Sequence, residues 1–128
     1  MSYQKYRVLV VDDEESIREL VIDAFEMEDF QVSSAENGQV AWDLWKSSEE
    51  SSAPFHIVVS DFHMPEMNGV ELLEHLSQDP KENPIFYLCS GTLESVAKEI
   101  GEHEHAHFIS KPYDVFALLD KIKEELGD

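Results

Sequence analysis

Short runs of apolar, largely β-branched residues recur along the chain. Each stops at a polar residue before an apolar stripe of helical period begins, and that alternation restricts the fold more than any other feature. Arg7-Val8-Leu9-Val10-Val11 ends abruptly in Asp12-Asp13, the pattern of a buried strand with acids at its carboxyl end. Ile17, Leu20, Val21, Ala24 and Phe25 follow at i, i+3, i+4, i+7 and i+8, one face of an amphipathic helix. Gln31–Ala35 is a second strand, closed by the turn signal Asn37-Gly38, and Ala41, Leu44 and Trp45 mark a second helix. Ser47–Pro54, rich in Ser and Glu and without hydrophobic period, reads as a surface loop before the strand His56–Ser60. A third helix is expected from Gly69 to about Gln78 on Val70, Leu72, Leu73 and Leu76, and Asp79–Pro84 breaks it before the strand Ile85–Cys89. Leu93, Val96, Ala97 and Ile100 repeat the helical stripe, Phe108–Ser110 is a brief fifth strand, and Val115, Leu118, Leu119, Ile122 and Leu126 face a last helix.

Strands alternating with helices imply an α/β fold: a doubly wound, five-stranded parallel sheet covered on both faces. Such sheets bind ligands outside the carboxyl ends of their strands. The polar residues that end the apolar runs should therefore carry the chemistry, however far apart they lie in sequence. They are Asp12 and Asp13 after the first strand, Asp61 after the third, Ser90 after the fourth and Lys111 after the fifth.

Composition removes several functions. A chain of 128 residues, 42% hydrophobic, is sized for one domain with one continuous core. A formal charge of -19 repels polyanions and cannot supply the counterion release that drives nucleic-acid binding, so no direct nucleic-acid partner is expected. Cys89 is the sole cysteine, which excludes an internal disulfide and a multi-cysteine zinc site. No apolar stretch approaches the roughly 20 residues of a membrane span, and residues 1–11 lack a signal core, so a cytoplasmic protein without membrane insertion is the expectation.

Three carboxylates brought together repel, and a hard divalent cation relieves the repulsion. Mg²⁺, with Mn²⁺ as the alternative, suits a few carboxylates plus water and a phosphate. A carboxylate can also attack phosphorus while an ammonium and a hydroxyl stabilise the transferring oxygens, so Asp61 with Lys111 and Ser90 suits phosphoryl transfer. Taken alone, Asp12 and Asp13 would equally serve as a helix cap, Ser90 as a turn residue and Phe108 as core.

Val10-Val11-Asp12-Asp13-Glu14, the stretch Val58–Gly69 containing Ser60-Asp61-Phe62-His63-Met64-Pro65, Ser90-Gly91 and Ser110-Lys111-Pro112 together resemble the response-regulator receiver family of two-component signalling, nearly end to end. The resemblance implies a flavodoxin-like (βα)₅ fold over residues 1–128, with its core at about 6–126; no effector domain is expected, since the last helix ends at Leu126 before Gly127-Asp128. It implies Asp61 as phosphoacceptor for a histidine kinase or histidine phosphotransfer protein, and output by partner binding to an unidentified protein target. Asp13 would ligate Mg²⁺ directly and Asp12 largely through water, with Asp61 and the backbone carbonyl of His63 completing the protein's share. Lys111 would pair with the phosphoryl group, Ser90 would hydrogen-bond it, Phe108 would change rotamer with Ser90, and Pro112 would follow Lys111 through a cis bond. Gly91 stands where Ala is frequent and permits close phosphoryl approach; Phe108 replaces a frequent Tyr and offers no phenol hydroxyl to a partner.

Two other classes compete. A haloacid-dehalogenase-type phosphotransferase also uses an Asp nucleophile, Mg²⁺ and a Lys, but it needs an Asp two residues after the nucleophile, where this chain has His63, and usually a cap domain. A receiver-fold interaction module that is not phosphorylated typically lacks an acid or the Lys, and here the set is complete. His103, His105 and His107 alternate, as metal ligands on a strand would, yet Gly101, Glu102 and Glu104 make a solvated loop the expected reading.

Overall fold

The computed structural model describes residues 3–51, 53–62, 64, 67–77, 84–90, 106–110 and 114–127. Their elements are β1 (Arg7–Val11), α1 (Glu15–Met27), β2 (Gln31–Ala35), α2 (Gly38–Glu50), β3 (Ile57–Asp61), α3 (Gly69–Ser77), β4 (Ile85–Ser90), β5 (Ala106–Ser110) and α4 (Val115–Glu125). The strands form one parallel sheet in the order β2-β1-β3-β4-β5. This is the doubly wound arrangement expected from the alternation.

Successive strand residues face opposite sides, and each side closes its own core. Val8 and Val10 of β1, Ile57 and Val59 of β3, and Tyr87 and Cys89 of β4 pack with Val21, Ala24 and Phe25 of α1 and Leu118, Leu119 and Ile122 of α4. Leu9, Val11, Val58, Phe86 and Leu88 pack on the other side with Ala41 and Trp45 of α2 and Leu72, Leu73 and Leu76 of α3. The central strands are buried on both faces, which is why they read as unbroken apolar runs.

Several boundaries differ from the sequence reading. Leu20 was placed on the buried stripe of α1 but is 58% exposed, because the stripe centres on Val21, Ala24 and Phe25 and Leu20 falls beyond its margin. The expected loop Ser47–Pro54 is helical as far as Glu50. The Ser48 hydroxyl donates to the Trp45 carbonyl (2.7 Å) and the Ser51 hydroxyl to the Ser47 carbonyl (3.0 Å), so these serines bond back along the helix instead of ending it. β3 runs one residue later than expected and includes Asp61, and β5 begins two residues earlier, at Ala106. His107 is therefore a strand residue, stacked on Tyr87 with centroids 5.0 Å apart and its Nε2 3.6 Å from Glu125 Oε1. The solvated-loop reading fails for His107 because it pairs with Tyr87 in the sheet; His103 and His105, and the helix expected over Leu93–Ile100, lie outside the described residues.

Candidate phosphoryl-transfer site

Register brings the acids together. Val11 of β1 pairs with Ser60 of β3, so Asp12 and Asp61, each the next residue along, emerge side by side. They do so between β1 and β3, where the strand order reverses direction, the position at which open α/β sheets hold ligands. Asp61 pairs with Cys89, and Ser90 with Ser110, which brings the ends of β4 and β5 to the same edge. The carboxylates of Asp12, Asp13 and Asp61 each offer an oxygen within 4.8 Å of the others. Asp12 and Asp61 are buried, and Asp13 is exposed.

Each acid is held by its local fold. The Asp12 amide donates to the Ala35 carbonyl (3.2 Å), and one Asp12 carboxylate oxygen accepts from the Glu14 amide (2.9 Å), a turn that leads the chain into α1. The Asp12 carbonyl accepts from the Arg18 guanidinium at 2.8 Å. After Asp61, the Phe62 amide donates to the Cys89 carbonyl and the Gly69 amide to the Phe62 carbonyl, both at 2.9 Å. α3 starts with a reciprocal cap: the Glu71 amide donates to Asn68 Oδ1 (2.9 Å) and the Asn68 amide to Glu71 Oε1 (3.2 Å). A Cβ on Gly69 would meet the Asp61 carbonyl at 2.5 Å, so only glycine lets α3 begin this close to the acid.

Beside the acids lies an open recess of about 450 Å³ lined by Asp13, Phe62, Met64 and Asn68. It is large enough for a hydrated cation and a phosphoryl group, and its exposed acid leaves room for water ligands, which Mg²⁺ retains. Ionised carboxylates this close repel one another, and the burial of Asp12 and Asp61 keeps water from screening that repulsion fully. A divalent cation is the fitting remedy, and the donor set is all hard oxygen.

Asp12, Asp13 and Asp61 thus converge as the sequence reading required. The Ser90 and Phe108 backbones lie in β4 and β5, while their side chains, with His63, Gly91, Lys111 and Pro112, lie outside the described residues. Sequence reasoning missed Arg18, Met64 and Asn68. The Asn68-Gly69-x-Glu71 spacing was a legible capping signal for Asn68; Arg18, six residues past Asp12, had no signal in a one-dimensional pattern.

Residues 8–123 match the family model of the response regulator receiver domain. A chemotaxis protein CheY homolog of Campylobacter jejuni is 30% identical, over 94% of this chain and 92% of its own length. Sporulation initiation phosphotransferase F of Bacillus subtilis is 29% identical, over 94% and 93%. Among solved structures, the CheX–CheY–BeF₃–Mg complex from Borrelia burgdorferi superposes with a TM-score of 0.80 at 26% identity, covering 96% of this chain and 90% of that one. The chain spans about half the length, or less, of the first curated relatives it matches.

Proposed function

Because this chain belongs to the response-regulator receiver family, we propose that it is a phosphorylation switch in which Asp61 accepts a phosphoryl group from a histidine kinase or histidine phosphotransfer protein. The convergence of three carboxylates at the sheet's reversal point carries this reading. An Asp61 carboxylate oxygen forms a bond to phosphorus as the phosphorus–nitrogen bond of the donor's phosphohistidine breaks, and the released imidazole takes up a proton. Asp13, Asp61 and the His63 carbonyl would hold Mg²⁺, or Mn²⁺ in its place. Asp12, with one oxygen committed to the Glu14 amide, acts mainly through water. The cation supplies charge neutralisation for the transferring oxygens. Lys111 and the Ser90 hydroxyl take up phosphoryl charge, and Gly91 leaves space beside it.

In the switch that follows, Ser90 moves towards the phosphoryl oxygens and Phe108 turns into the vacated space. This reshapes the surface formed by residues 93–100, β5 and α4 for a protein target. The His63 side chain tunes the lifetime of the phosphoryl group, and residues 8–123 act as a receiver unit in the cytoplasm. No helix among the described residues is long and apolar enough to cross a membrane.

Beryllofluoride with Mg²⁺ imitates the aspartyl phosphate, and amide chemical shifts with and without it test the scheme. Changes are expected at Asp12, Asp13 and Asp61 and along residues 93–100 and Phe108, with α1 beyond its first turn barely affected. Changes confined to the three acids would overturn the switch, and none at all would overturn the site.

A further inference from the structure

The geometry points to Arg18 as the positioning residue of the metal centre, an inference that rests on the proposed metal reading of the three acids. Its guanidinium donates to the Asp12 carbonyl at 2.8 Å. That carbonyl belongs to the peptide joining Asp12 to Asp13, and a peptide is a rigid plane, so holding its oxygen sets the direction in which Asp13 leaves the backbone. The β1 ladder ends at Val11, so the sheet no longer dictates that direction. On the other side of the same residue, the Asp12 amide is held by Ala35 and the Asp12 carboxylate by the Glu14 amide. Asp12 is thereby anchored at its amide, its side chain and its carbonyl, and the carbonyl anchor is the one that reaches towards exposed Asp13.

Arg18 stands on α1, whose turn at Glu14 begins from Asp12 itself; the Arg18 amide donates to the Glu14 carbonyl at 2.9 Å. Loop and helix thus close on each other through one side chain. Arg18 is only partly buried and also lines a separate recess of about 260 Å³ with Ser34, Ala35, Glu36 and Val40. The guanidinium is therefore not sealed in the core, and circular dichroism of each variant checks that it is folded before its metal binding is compared.

The sign of the effect separates positioning from simple charge. A cation beside an acidic cluster repels a second cation, so an Arg18 acting through charge alone would weaken metal binding, and its removal would tighten it. A positioning Arg18 has the opposite consequence, since groups that orient metal ligands typically contribute about 10–100-fold in affinity. The experiment is calorimetric titration with Mg²⁺, repeated with Mn²⁺, of the wild type, Arg18→Met and Arg18→Lys. Arg18→Met, of similar length but without donors, is expected to bind about tenfold more weakly. Arg18→Lys, which keeps a donor and the charge, is expected to recover most of the loss. Binding by Arg18→Met as tight as or tighter than the wild type, or no recovery in Arg18→Lys, overturns the inference while leaving the metal reading intact. A wild type that takes up neither ion overturns both.

Discussion

Gly69→Ala tests whether the close approach of α3 to the end of β3 holds the acid in place. An added Cβ would lie 2.4 Å from Leu88 Cδ1 and 2.5 Å from the Asp61 carbonyl oxygen, both inside the 3.0 Å that real Cβ contacts essentially never breach. Leu88 is fully buried and has little freedom to turn aside. The oxygen is backbone, held in a strand whose Asp61 pairs with Cys89, so α3 and the residues after Asp61 must separate. Overpacking of this kind costs about 1–3 kcal/mol, and two simultaneous clashes, one with backbone, place it near the top of that range. For a domain of this size the expected fall in melting temperature is roughly 8–12 °C. Gly127→Ala is the control, because Gly127 has φ of +85° but nothing within 4 Å of its missing Cβ, so it meets only conformational strain of about 1–2 kcal/mol and no clash near the acids. Thermal unfolding followed by circular dichroism reads both. Metal titration should show weakened binding for Gly69→Ala alone. A Gly69→Ala protein that melts within a degree or two of the wild type and binds metal normally would refute the argument from close approach.

Burial, reinforced by Glu125 and then Glu124, pushes the Tyr87 phenol up from 10.0 to about 12. The folded state therefore keeps its proton while the unfolded state loses it, so stability should fall as pH rises from about 10 to about 12, and denaturant melts of Tyr87→Phe should lack that component. Asp13→Ala should weaken Mg²⁺ binding by at least about tenfold in a titration, since a direct carboxylate ligand matters no less than the groups that orient it. His63→Ala should still be phosphorylated but should change the rate of phosphate release; a decay rate identical to the wild type across the imidazole titration range would remove His63 from that role.

The alternation of apolar runs and helical stripes was enough to read the sheet and its carboxyl edge, because strands buried on both faces leave continuous apolar words that end at the first polar residue. Asp12, Asp13 and Asp61 followed directly. What sequence pattern could not carry was geometry at right angles to the chain. Nothing periodic distinguishes Leu20, at the margin of the α1 stripe, from a buried stripe position, and only the helix's actual rotation leaves it exposed. Ser47 to Glu50 looked like a loop because serine competes with helix formation, and the hydroxyls that bond back to Trp45 and Ser47 reverse that tendency locally. His107 was read with its acidic, glycine-containing neighbours, whereas its stacking on Tyr87 comes from a strand partner twenty residues earlier in the chain. Arg18 carried no signal in the sequence, since its bond to the Asp12 carbonyl depends on how α1 returns towards the end of β1.

The claim that Asp61 is the phosphoacceptor is tested most directly by intact-mass measurement after incubation with acetyl phosphate and Mg²⁺, followed by peptide mapping. The wild type should gain one phosphoryl group, on the peptide containing Asp61, only when the cation is present, and Asp61→Asn should gain none. Stoichiometric labelling of Asp61→Asn, or a wild-type label mapped to another residue, would contradict it.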